Sequence, residues 1–378
     1  MRFEARYVTN TLHFATKAAF TVSHGRKTAP LALIDLRGVA LKRPFLLVVR
    51  LLRMAGFDVA ISADFRSVMK AGSYALKAFD DPRVRFSPFG IRRADIVISN
   101  NRSRRGRARK FLLLDFNVFP ASSRSGDGIF FPISFHPDYL DAVTIETVGK
   151  MPLRDHRDIG IFFAGNFAKE AYDRPETGAL FDLLSRYRIV ETLRARYGGS
   201  SLVEPKSIGE LKSGISDGAY RKKIVICDSA LFRIAGLEWF DVLRKCDFWL
   251  SPPGVVQPYC HNTVEAMAAG AIPILQYPSY YAPPLRHGAE CIAFTEVQGL
   301  LRAVDAILEG RYEEGLPQMR VSARDYFNNW LSPAAFARSI KEFMISERRE
   351  SRLLICQNTL SVALFEQTLK SSGKSSSQ

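Results

Sequence analysis

The chain has 378 residues and a net charge of +15, more than one hydrophobic core usually holds, so two domains of about 150–200 residues are expected. Hydrophobic residues make up 47% and charged residues 24%, which excludes a disordered or fibrous chain. No run approaches the roughly 18 apolar residues of a membrane span. The N-terminal segment carries Glu4 and no apolar signal core, and the five cysteines form no CxxC pair, so a cytoplasmic, reducing setting is expected.

From residue 30 the chain alternates apolar strands with helices. Residues 31–35 (LALID) are a first strand. Residues 44–55 are a helix with Pro near its start and Gly56 after its end, the usual asymmetry of helix boundaries. Strand 57–62, helix 65–79, strand 94–99 and strand 110–118 follow, then loop composition over 121–127. A second series opens with 158–164 (DIGIFFA), then helices through 179–197, strand 223–227, helix 238–245, strand 248–251, helix 263–269, strands 272–276 and 291–294, and helix 297–309. This rhythm, with nearly continuous apolar strands, predicts βαβ units and parallel sheets buried on both faces. The expected domains are 1–150 and 151–330, both Rossmann-like, followed by C-terminal helices and a disordered tail over 331–378.

Charge is divided unequally. Residues 1–150 hold 25 Lys and Arg against 12 Asp and Glu; residues 151–378 hold 28 against 26. The densest run contains Arg102, Arg104, Arg105, Arg107, Arg109 and Lys110. Such a field favours an acidic partner, either an anionic membrane surface or an anionic acceptor. Nucleic acid is disfavoured because no aromatics interleave the run to stack on bases; a solvated loop is the alternative.

Several chemistries lack their motifs: there is no GxxxxGK[ST], no GxGxxG after the first strand, no HExxH and no GxSxG. No Asp-x-Asp pair is present to clamp a metal diphosphate. The informative stretch is 248–276, in which a buried strand turns through Pro252-Pro253-Gly254 and a small-residue helix starts near Thr263. The N-terminus of that helix favours an anion such as a diphosphate. Glu265, expected in its first turn and partly exposed, is either a dipole-stabilised carboxylate or a ribose ligand. His261 is either a neutral donor to phosphate or sugar, or a surface loop residue. Tyr259 is expected in the core.

The turn and the run Glu265-Ala266-Met267-Ala268-Ala269-Gly270-Ala271-Ile272-Pro273-Ile274 resemble the donor-binding motif of GT-B glycosyltransferases, exostosin-like ones in particular. Residues 158–166 (DIGIFFAGN) are similar to the strand that opens the second domain of that family. The resemblance implies two Rossmann-like α/β domains with a cleft between them, and a nucleotide-sugar donor held by the second domain through Gly165, Asn166, Pro253, Gly254, His261, Asn262, Thr263 and Glu265. A glycan or glycolipid acceptor would lie against the first domain, with no cofactor and no metal. Gln257 stands where many retaining members carry a glutamate, and Asn262 stands where exostosin-like sequences often carry arginine. Phosphate charge would then be met by Lys169, Arg174, Arg221, Lys222 or Lys223. The general base of an inverting reaction would come from Asp35, Asp64 or His136, with His136 preferred. A fucosyltransferase-like enzyme, a basic nucleic-acid-binding protein and a non-catalytic scaffold are the competing readings.

Overall fold

The computed structural model describes residues 29–35, 43–62, 73–87, 93–106, 108–116, 128–255 and 257–356. The chain divides into two compact α/β units, one drawn from Met1–Val118, Ser125–Ala142 and Leu331–Gln357, the other dominated by Val143–Trp330. Every strand pair in both sheets is parallel, as the continuous apolar runs require.

In the first unit, strands β1 (Leu31–Asp35), β2 (Asp58–Ser62), β3 (Val84–Phe86), β4 (Ile96–Ser99), β5 (Lys110–Asp115), β6 (Gly128–Phe130) and β13 (Glu350–Leu354) lie in the order β3-β2-β1-β4-β5-β13-β6. Helix Arg43–Met54 buries Phe45, Leu46, Leu47, Val48, Val49, Leu51 and Leu52. Burying that many large side chains contributes on the order of 10 kcal/mol before entropy is counted. Residues 331–356 depart from the expected run of helices. Helix Pro333–Ile345 is followed by β13, which enters the first sheet between β5 and β6. Its ladder partners Phe111–Asp115 and Gly128–Phe130 supply what its own mixed sequence, ESRLL, does not signal.

In the second unit, β7 (Ile159–Gly165), β8 (Leu202–Val203), β9 (Ile224–Asp228), β10 (Cys246–Leu250), β11 (Ile272–Leu275) and β12 (Ile292–Ala293) lie in the order β12-β11-β10-β7-β9-β8. Helix Leu237–Leu243 packs on this sheet through Trp239. The Trp239 ring meets Trp249 edge-on at 5.6 Å, and Trp249 meets Phe162 at 5.8 Å. Helix His261–Ala268 is held at its C-terminal end by the buried guanidinium of Arg157. Arg157 donates to Cys246 O at 2.6 Å and to Ala269 O at 3.3 Å, placing a cation at the negative end of the helix dipole. Burial, then the nearby Arg320, lowers its pKa to about 10. Gly270, which follows the helix end at φ +75°, holds a left-handed backbone conformation that a residue with a Cβ would adopt only under strain.

Among the described residues, no helix is long and apolar enough to cross a membrane.

Candidate functional site at the carboxyl edge of the second sheet

Parallel sheets bind ligands outside the carboxyl ends of their strands, where successive connections leave in opposite directions. In the second unit that point lies between β7, which leads towards β8 and β9, and β10, which leads towards β11 and β12. The segments following these two strands are Gly165-Asn166 and Ser251–Cys260, and the helix starting at His261 enters the same edge. Asn262 Nδ2 donates to Ala164 O at 3.2 Å, joining the helix to the end of β7. Asn166 Oδ1 accepts from the Ala168 N–H at 2.8 Å and shapes the turn after that strand. Gly254 is required where it stands, because a Cβ would lie 2.9 Å from Gln257 O and 3.1 Å from Tyr259 O.

One side chain joins all three segments. Arg186 is 6% exposed. It donates through Nε to Pro253 O at 3.1 Å, through Nη1 to Asn166 O at 3.0 Å, and through Nη2 to Cys260 Sγ at 3.8 Å. Its guanidinium also stacks over the Tyr172 ring at 4.1 Å. Cys260 is the N-cap of the His261 helix and supplies no side-chain cap. Among the described residues no carboxylate pairs with Arg186. A buried cation held only by neutral acceptors leaves a net positive charge beside an uncapped helix N-terminus, the combination that favours a phosphate group.

Sequence reasoning passed over Arg186 in favour of more exposed cations. The signal was its position at the start of helix Arg186–Tyr197, where the dipole disfavours a cation unless something else holds it. Of the cations that were named, Lys169 and Arg174 follow β7 and stay at the carboxyl edge, both exposed. Arg221, Lys222 and Lys223 precede β9. The carbonyls of Arg221 and Lys223 crowd Gly160 near the start of β7, so these three stand at the amino end of the sheet and do not reach the site.

The helix begins at His261, two residues earlier than expected, so Glu265 lies beyond its first turn. Glu265 is also 1% exposed rather than partly open, and Trp239 Nε1 donates to its Oε2 at 2.7 Å. Thr263 is fully buried, and its hydroxyl hydrogen-bonds the Ser251 hydroxyl, which also meets the Tyr277 hydroxyl at 3.0 Å. Burial raises the Tyr277 pKa, so this chain of hydroxyls is neutral and acts as a structural pin. His261 and Asn262 are half-buried at the helix start. The Oε1 of buried Gln257 has no hydrogen-bond partner among the described residues. Tyr259 is core, as expected, with its hydroxyl on Tyr280 O at 2.6 Å.

The candidate bases of the first unit separate. His136 Nδ1 accepts from the Asp138 N–H at 3.2 Å and caps the short helix Pro137–Tyr139. Burial, then Arg43, pushes its pKa down to about 4 despite Asp138. A nitrogen engaged in capping and of such low basicity is poorly matched to general-base work near neutrality, which argues against His136, the base expected from the sequence. Asp64 lies outside the described residues. Asp35 ends β1 and stands in register with Ser62 of β2 and Ser99 of β4. This buried polar row marks the corresponding switch point of the first sheet.

The basic run is not a single exposed surface. Arg102 and Arg109 are at the surface, Arg104 and Arg105 are half-buried and Arg107 lies outside the described residues. Lys110 is buried, with Nζ donating to Ser346 O and Arg348 O at 2.5 Å each and lying over the Phe343 ring at 5.0 Å. It caps the end of helix Pro333–Ile345 and is not available to a partner. Among the described residues, no group of three or more His, Cys, Asp or Glu side chains is placed to hold a metal ion.

No protein-family model matches the chain, and no curated protein does. Among solved structures, the chain is similar to HepE of Anabaena in complex with UDP, at 12% identity over 83% of this chain and 98% of that one, with a TM-score of 0.47. It is similar to a glycosyltransferase from Rickettsia africae ESF-5, at 13% identity over 85% and 100%, with a TM-score of 0.47. It is also similar to AviGT4, a glycosyltransferase involved in avilamycin A biosynthesis, at 14% identity over 84% and 97%, with a TM-score of 0.44.

Proposed function

We propose that the protein is a GT-B-type glycosyltransferase with an exostosin-like donor motif, moving a sugar from a nucleotide-sugar to a glycan or glycolipid acceptor in cell-surface polysaccharide or glycolipid synthesis. The observation that carries this reading is Arg186, a buried guanidinium without a carboxylate that ties together Asn166, Pro253 and Cys260 at the switch point of the second sheet. A diphosphate leaving group seated there meets a fixed cation and the positive end of the His261 helix, and neither has to reorganise as charge develops. No metal is needed to supply that charge. Glu265, on the same helix, is the ribose ligand in this reading, and Trp239 sets the orientation of its carboxylate.

The acceptor belongs to the first unit, at the carboxyl edge of its sheet. If the sugar is transferred with inversion, Asp35 is the group at that edge suited to take the acceptor proton. The protein works in the cytoplasm, at the inner face of a membrane.

Thermal-shift measurements against UDP-, GDP-, CMP- and ADP-sugars test the donor reading. A ligand at 100 times its Kd stabilises the fold by about 2.7 kcal/mol. Absence of a shift with every nucleotide-sugar would overturn it.

A further inference from the structure

The first sheet has two ends of different character. Its carboxyl edge carries Asp35, Ser62 and Ser99. At its amino end Asp58 of β2 is paired with Arg53 and Arg83, and Asp95 accepts from the Leu31 N–H; beside them lie two segments far apart in sequence, the one leading into β5 at Lys110 and the one leading into β13 at Glu350. The Phe111 N–H donates to Arg349 O at 2.9 Å, and Lys110 Nζ donates to Ser346 O and Arg348 O. Arg109 and the Arg348-Arg349 pair are thereby gathered about Lys110, all three exposed. Together residues 102–106, 108–110 and 346–350 carry seven cations and two carboxylates. Glu350 is already engaged by Arg102 at 2.8 Å, with Arg105 3.9 Å away. Burial, then the charges of Arg109, Arg348 and Arg349, lowers the Lys110 pKa; the fold holds these cations close against their mutual repulsion.

Ile345 ends helix Pro333–Ile345 beside this cluster and is 83% exposed. An exposed aliphatic side chain next to exposed arginines matches a bilayer interface, where apolar insertion and attraction to anionic headgroups act together. It offers nothing to a nucleic acid, and neither segment contains an aromatic side chain on which a base could stack. The cluster also stands at the opposite end of β5 from the carboxyl edge, roughly 17 Å away along the strand.

We propose that the amino end of the first sheet, with Arg109, Arg348, Arg349 and Ile345 at its centre, is a docking face for an anionic lipid bilayer. The face anchors the protein and leaves the carboxyl edge of the sheet clear. It does not depend on the identity of the donor.

The test is co-sedimentation of the full chain with phosphatidylcholine vesicles, with and without phosphatidylglycerol. Binding to the anionic vesicles and not to the neutral ones is expected, weakening as salt shortens the Debye length. Replacing Arg109, Arg348 and Arg349 together by Gln should weaken it on the order of 100-fold, at about a factor of five per arginine. Ile345→Ser should weaken it roughly tenfold with no change in salt dependence. All four residues are exposed, and unchanged thermal unfolding of the variants confirms that only the surface was altered. Equal binding by wild type and the triple variant would overturn the proposal, as would no binding to either vesicle. Binding to DNA or RNA that the same substitutions abolish, with vesicle binding untouched, would reassign the face. Nucleotide-sugar affinity measured on the same preparations reports separately on the donor reading.

Discussion

The Trp239 indole donates to Glu265 Oε2 at 2.7 Å, with both side chains buried. In the proposed reading Glu265 has both a structural and a ribose-binding role, and substitution separates the two. Glu265→Gln keeps an oxygen for the indole and removes the charge. Its melting temperature should stay near wild type while nucleotide-sugar affinity, measured by calorimetry, falls about 10- to 100-fold, the loss of one charge-assisted hydrogen bond. Trp239→Phe removes this donor to a buried carboxylate and should cost about 1–3 kcal/mol of stability. Full donor affinity in Glu265→Gln would remove the ribose role.

Arg186 predicts a different pattern. Lysine retains the charge but lacks the planar fork that reaches three acceptors. Arg186→Lys should lower donor affinity about tenfold or more, and Arg186→Ala further still, with added loss of stability as Pro253 O and Asn166 O lose their donor. If Arg186→Lys binds UDP-sugars as tightly as wild type, charge alone is at work and the loop-tying role falls.

His136 makes stability depend on pH. In the fold it stays neutral down to about pH 4, whereas in the unfolded chain it takes up a proton below about pH 6.5. The unfolded state binds the additional proton, so stability declines as pH falls through that window, by about 2 kcal/mol between pH 7 and pH 5. Asparagine caps helices well and does not titrate. Urea midpoints of His136→Asn should therefore fall less over this range than those of wild type; parallel curves would exclude the contribution.

In the proposed reading Arg186 and the His261 helix balance the charge that a divalent ion would otherwise meet, so transfer activity should persist in EDTA. Complete loss in EDTA, with recovery on adding Mn²⁺ or Mg²⁺, would require a metal in the mechanism.

Both parallel sheets were legible in the sequence because strands such as Ile96–Ser99 and Ile272–Leu275 are unbroken apolar runs, buried throughout. The turn and helix of the candidate edge were legible because Pro253, Gly254 and Glu265 stand close together in the chain. What escaped was long-range pairing. Lys110 has the sequence environment of a surface cation until residues 346–348 fold over it, and Glu265 looks half-open until Trp239, 26 residues upstream, covers it. Arg186 sits in a helix whose sequence is polar and basic, so no periodicity singles it out. β13 becomes a strand only because β5 and β6 present matching edges on either side.

That insertion of β13 has a consequence for biosynthesis. The second unit is nearly contiguous and can fold as soon as its residues leave the ribosome, but the first unit, although begun earlier, lacks the interior strand that joins β5 to β6 until residue 354 has been made. In the interval β5 and β6 are unpaired edges, which are templates for pairing between chains. The half of the protein translated first is thus the last to be completed, and truncation before residue 350 should yield aggregates.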